Sequence, residues 1–267
     1  MCRPKFSFTI RSCHCFLNLV LAPPLSQNRS QRQPDQREGC RSGVEADRPA
    51  ARLRDYVLAV RACWDAYRSG RGRYEGKFYA ISQPIFSPGA DDPWPTIPLY
   101  VAGVNPVMTA VAGEVADGFA AHMFCTPTYL DQVLRPALAR GAARAERPAP
   151  PVLMPLVVGR DRASLALQMT TYTVPAYRRV LDESGLKTEA DAILAALADR
   201  RRTEAARIIE ERCLDQLGVA TIDDLPERVR LWSAHADVIG LTVPWYGLDA
   251  KAQVALFREV LQALQRI

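Results

Sequence analysis

The stretch Pro98-Leu-Tyr-Val-Ala-Gly-Val-Asn-Pro-Val-Met-Thr-Ala-Val-Ala-Gly-Glu-Val-Ala-Asp-Gly-Phe119 constrains this chain more than any other, because it reads as strand, tight turn, capped helix and second strand. Leu99 to Ala102 is a short apolar run of the kind that fills a parallel sheet. Gly103 permits a close turn, Asn105 is a good N-cap residue, and Pro106 suits the first helical position. The N–H groups of such a helix start have no intrahelical acceptor and carry about half a positive charge. This corner is therefore ready for a phosphate.

The alternation repeats along the chain. Gly118 to Met123 forms a second strand, after which Thr126 caps a helix with Pro127 at its first position, running to Arg144. Val152 to Val158 is a third strand, in which Pro155 removes a ladder hydrogen bond and predicts a bulge. A helix from Arg162 carries through Tyr172 to Leu181. Thr188 to Gly218 is helical throughout, with Ile193, Leu197, Ile208, Ile209 and Leu217 on its core side. Asp237 to Trp245 is a fourth strand, and Leu248 to Leu264 the last helix, with Val254, Phe257, Leu261 and Leu264 on one face. Four βα units in succession imply a parallel sheet, either open or part of a (β/α)8 barrel, whose full form needs eight.

The amino-terminal part is different in character. Pro23 to Ala46 is rich in Gln, Arg, Pro and Ser with no apolar period, which predicts disorder. Order begins at Asp47 with a helix whose apolar positions Leu53, Val57, Val60 and Trp64 recur at helical spacing, ending at Ser69-Gly70. Tyr74 to Phe86 reads as a small extended excursion and Ser87 to Pro98 as a loop.

Charge and cysteine usage exclude several classes. Residues 1–46 hold seven basic groups against three acidic ones and so supply +4 of the net charge of +5. The remainder is nearly neutral, with Arg and Glu interleaved, so no basic nucleic-acid face is expected. Cys2, Cys13, Cys15 and Cys40 fall in the opening segment, while Cys63, Cys125 and Cys213 are scattered singly. This odd, unpatterned count fits a reducing cytoplasm. Cys13-His14-Cys15 lacks the spacing of a zinc knuckle and has no second pair, so no metal is expected. Phe16 to Ala22 is too short and too interrupted for a secretory signal, and no stretch approaches the ~20 apolar residues of a membrane span.

Tyr100 to Pro106, followed by Ala112-Gly-Glu-Val-Ala-Asp-Gly-Phe119, resembles the corresponding βαβ segment of the luciferase-like flavin- or deazaflavin-dependent oxidoreductases. The resemblance extends from Arg48–Val57 through Phe78–Ser87, His122–Tyr129, Leu134–Leu138, Pro151–Arg160 and Gly218–Val229 to Ile239–Trp245. It implies an incomplete (β/α)8 TIM barrel over residues 47–267, with about four parallel strands, flanking helices and a helical insertion before the last strand. These would be strands five to eight of the family fold. Residues 1–46 match nothing in it and read as a disordered or unrelated leader, of the kind a shifted frame or misplaced start produces.

Within that family the chain looks closest to the branch using coenzyme F420. The resemblance then implies that Gly103, Val104, Asn105, Pro106, Val107 and Met108 hold the cofactor's phosphate-bearing tail, and that hydride passes between F420 and a small organic substrate. FMN with oxygen is the alternative cofactor, and a catalytically inactive fragment the alternative outcome. An open half-barrel also exposes strand edges, which predicts self-association.

His122 ends the second strand, on the face where a (β/α)8 barrel places its active site, and stands as the substrate-pocket candidate. Near its ordinary pKa it would bind an anion or move a proton, against the alternative of a histidine bonded beneath a loop. Trp245 and Tyr246, at the end of the last strand, read as loop packing before pocket lining. His235, Glu114 and Asp117 read as structural, Asp91-Asp92 as solvated, and no catalytic residue is assigned.

Overall fold

The computed structural model describes residues 48–69, 72–81 and 97–265. The chain divides into two compact units, and among the described residues the division falls between Ile97 and Pro98. The leader and the Ser87 loop lie outside the described residues, as do Asp91, Asp92, His14 and the Cys13-His14-Cys15 triplet.

The first unit holds helix α1 (Pro49–Ser69) and an antiparallel pair, β1 (Tyr74–Glu75) with β2 (Ala80–Ile81). The expected spacing holds in its amino-terminal half, where Leu53 and Val57 are buried. Asp55 of α1 anchors the hairpin: its carboxylate accepts the Tyr74 hydroxyl and the Phe78 and Tyr79 backbone N–H groups. Burial raises the Asp55 pKa, but these donors outweigh it and hold the group below the usual carboxylate range.

The second unit is built on five parallel strands, one more than expected. They are β3 (Tyr100–Ala102), β4 (Gly118–Ala120), β5 (Val152–Gly159), β6 (Val219–Thr221) and β7 (Val238–Thr242). The additional strand is β6, whose three residues are too few to show a period and directly follow the helical run ending at Gly218. Helices α2 (Pro106–Val115), α4 (Arg135–Arg144), α9 (Leu225–Ser233) and α10 (Ala250–Leu264) flank the sheet. The insertion supplies α5 (Arg162–Met169), α6 (Pro175–Asp182), α7 (Lys187–Ala198) and α8 (Arg202–Arg212).

Strand β5 organises the sheet. One of its edges carries β7 in unbroken register from Leu153↔Val238 to Val157↔Thr242. Its other edge carries two short strands in succession, β4 against Val152 and Leu153, then β6 against Val157 to Gly159. Pro155 falls in the gap between them. Odd-numbered residues of β5 face this edge, as the bonds from Ala121 N–H to Leu153 O and from Val157 N–H to Gly218 O show. The donor that Pro155 lacks would point where neither strand runs, so no bulge is needed and the expectation of one is corrected.

Other departures have equally local causes. The helix expected from Arg162 to Leu181 is broken, because Val174 precedes Pro175 and is held extended at φ −120°, ψ 160°. Thr126 does cap its helix, accepting the Tyr129 N–H at 3.0 Å, but α3 (Pro127–Tyr129) widens into a π turn over Leu130–Leu134 before α4. The Arg135 N–H closes that wider turn onto Leu130 O, and Pro136, which lacks an N–H, follows directly. In α10 the buried positions are Leu256 and Val260, packed with Val158, Ala220 and Leu225, whereas the expected Val254 is 53% exposed.

Helices α2 and α4 touch backbone to backbone. A Cβ on Gly113 would lie 2.1 Å from Leu138 O, and one on Gly141 1.8 Å from Ala110 O. This close crossing seats α2 and so fixes where its first turn stands.

Candidate functional site

The corner between β3 and α2 forms as the sequence implies, with one change. Asn105 has the extended backbone of an N-cap residue and Pro106 opens the helix, yet the Asn105 side chain makes no capping bond. Its Nδ2 instead donates to Ala176 O of α6 at 3.4 Å. The carbonyl groups here are engaged: Thr109 donates its N–H and its hydroxyl to Asn105 O, and the Tyr129 hydroxyl donates to Val104 O at 2.9 Å. The N–H groups of Val107 and Met108, second and third in the helix, have no acceptor among the described residues. Val107 itself is 68% exposed, which places this first turn at the surface. Gly103, Val104 and Met108 are partly buried.

His122 follows β4 at the carboxyl end of the sheet. Its Nδ1 accepts the Phe124 backbone N–H at 3.0 Å, which leaves the ring proton on Nε2. The ring lies 4.7 Å from that of Tyr172, edge to face, and 4.8 Å from that of Tyr177. Burial among these rings pulls its pKa down to about 4. The expectation of an imidazole near its ordinary pKa is corrected: at neutral pH His122 is an uncharged N–H donor.

A wall of aromatic and polar groups continues from His122. The Tyr172 hydroxyl accepts from Gln168 Nε2 at 3.1 Å and from Trp245 Nε1 at 3.2 Å. Gln168 Oε1 takes the backbone N–H groups of both Trp245 and Tyr246. Trp245 and Tyr246 are thus packed, as expected, with Trp245 still 42% exposed. Sequence reasoning singled out neither Gln168 nor Tyr172 nor Tyr177. Gln168 did carry a signal: it shares the helical spacing of Leu165 and Met169 and is an amide on a face otherwise apolar.

The residues read as structural stand away from this wall. Asp117 accepts the Leu99 N–H at 2.8 Å and so fastens the start of β3. Glu114 lies 3.8 Å from Arg144, across the α2–α4 contact. His235 pairs through Nδ1 with Asp131 at 2.7 Å, while its carbonyl accepts from Arg135. Among the described residues no group of three His, Cys, Asp or Glu is placed to hold a metal, and no helix is long and apolar enough to cross a membrane.

A parallel sheet with flanking helices, a donor-bearing corner after one strand and an aromatic wall at the strands' carboxyl ends define an α/β scaffold of partial TIM-barrel type. The chain belongs to the luciferase-like monooxygenase family, which matches residues 29–236, so the match begins inside the 1–46 segment expected to lie outside the family. An uncharacterized protein of Mycobacterium tuberculosis is 39% identical over 152 residues, covering 51% of this chain and 44% of its own. The F420-dependent glucose-6-phosphate dehydrogenase of Beutenbergia cavernae is 33% identical over 97 residues, 36% of this chain and 27% of its own. The coenzyme F420 dependent tetrahydromethanopterin reductase of Methanopyrus kandleri shares the fold with a TM-score of 0.59 at 20% identity, over 80% of this chain and 63% of that one. The chain spans less than half the length of these curated relatives.

Proposed function

We propose that this chain binds coenzyme F420 and acts as an oxidoreductase, passing hydride between that cofactor and a small organic substrate held beside His122. The reading is carried by the α2 start, where two N–H groups lack acceptors among the described residues and the N-cap side chain, Asn105, is turned to Ala176. That is the chemistry a phosphate tail requires, and the F420-dependent enzymes among the relatives support it. The bound cofactor would supply the hydride chemistry.

The chain's own residues do the rest. Gly103 to Met108 bind and orient the tail. The Nε2–H of His122 donates a hydrogen bond to a substrate oxygen without bringing a charge into the site. Tyr172, Trp245 and Tyr246 screen the reacting groups from water. Titration of the purified protein with F420 and separately with FMN, followed by fluorescence, tests the assignment. Micromolar binding of F420 is the expected result; binding of FMN alone would reassign the cofactor, and binding of neither would overturn the reading.

A further inference from the structure

Arg202 opens helix α8 beside the aromatic wall. Its guanidinium lies 4.4 Å over the Tyr246 ring, Nε donates to Thr170 Oγ1 at 2.8 Å, and Nη1 donates to the Tyr246 hydroxyl at 3.0 Å. All three partners are uncharged. Its neighbour Arg201 is satisfied by Asp199 and Glu204, and Arg178 and Arg179 of the same insertion by Asp182, Asp191 and Glu183; what sets Arg202 apart is its fixed seat on Tyr246 and Thr170. Arg202 has no carboxylate partner among the described residues, and Nη2 has no acceptor among them.

This arrangement differs from that of a structural arginine. Arg228 is also without a directly bonded carboxylate, but three of its nitrogens are spent on the backbone carbonyls of Val219, Asp215 and Leu217, which close it off. Arg202 is held rigidly at two nitrogens and on one face, and keeps a third nitrogen open. A partly buried cation fixed by neutral groups favours an anion arriving from outside, because no protein charge competes for it. The wall connects it to His122 through Tyr246, Trp245 and Tyr172, each in contact with the next.

We propose that Arg202 is the residue that receives an anionic group of the substrate, a phosphate ester or a carboxylate, while the uncharged His122 faces its neutral reacting end. This deepens the reading under Proposed function and rests on it for the word substrate, but the site itself is testable without cofactor. Inorganic phosphate and acetate are titrated into the full-length protein by calorimetry at constant ionic strength, with F420 absent and then saturating to fill the α2 corner. One of the two anions should bind saturably in both conditions, the preferred one naming the group. The Arg202→Gln variant should weaken that binding about tenfold or more with F420 affinity unchanged, and Arg202→Lys should fall between. Equal affinity in wild type and Arg202→Gln, or no saturable anion binding with F420 bound, would overturn the assignment. Should Arg202→Gln fail to fold, phenylglyoxal labelling of the wild-type chain decides: the preferred anion should slow modification of Arg202, and an unchanged rate would refute the site. Failure of F420 to bind, with Arg202 still taking the anion, would reject the cofactor and leave the anion site standing.

Discussion

Gln168 and Tyr246, 78 residues apart, are joined by a 2.8 Å bond in which the Tyr246 backbone N–H donates to the Gln168 side-chain oxygen. The same oxygen takes the Trp245 N–H at 3.2 Å, so one amide fastens the segment after β7 to helix α5.

Gln168 is 1% exposed, so its replacement by Leu would leave two partly buried N–H groups and the Tyr172 hydroxyl short of a partner. We expect Gln168→Leu to cost about 2 kcal/mol in urea denaturation. Because the loop it releases carries Trp245, the variant's fluorescence should also shift toward that of solvent-exposed tryptophan.

The His122 pKa, lowered by burial from 6.5 to about 4, ties stability to acid. The unfolded chain binds this proton more readily than the folded one. The His122 contribution is therefore flat above pH 6.5 and declines as pH falls from 6.5 toward 4, by about 3 kcal/mol in all. Urea midpoints of the wild type should drop between pH 7 and 4.5, and His122→Gln should flatten that limb. Asp55, with its pKa depressed, acts in the same direction but lower, its contribution being lost as pH falls below its ordinary value of 3.8.

At the corner, Val107→Asp should move binding and stability in opposite directions. A carboxylate in the first turn of α2 favours the helix by about 0.3–1 kcal/mol and fills the same field that a phosphate would use. Thermal unfolding should show an equal or higher midpoint, while F420 affinity falls about tenfold. A loss of affinity accompanied by a lower midpoint would point to damaged folding instead.

Among the described residues, β3 is paired only with β4, and β7 only with β5, so the sheet ends in two open edges. Every residue of β7 is partly exposed. Such edges invite pairing between copies. Light scattering coupled to size-exclusion chromatography should find a dimer or larger species, and a compact monomer would count against it.

Legibility in the sequence followed the range of the interactions. Strand β3, the helix starts at Pro106 and Pro127 and the spacing of the insertion's core are set by neighbours within a turn or two, and these were readable. What escaped depended on partners far along the chain: whether Asn105 caps its own helix or reaches Ala176, and which residues β6 pairs with. The site followed the same rule. His122 is conspicuous by type, but its charge state depends on Tyr172 and Tyr177, and Arg202 differs from Arg201 only in what surrounds it.

Pro155 has an effect beyond its own strand. The last bond between β4 and β5 runs from Ala121 N–H to Leu153 O. Pro155, two residues on, falls in the gap between β4 and β6, so the hydrogen it lacks is not missed by either strand. One residue after Ala121, the His122 imidazole takes the Phe124 amide. An absent donor in one strand thus acts as punctuation, falling at the break between the two short strands that share its edge.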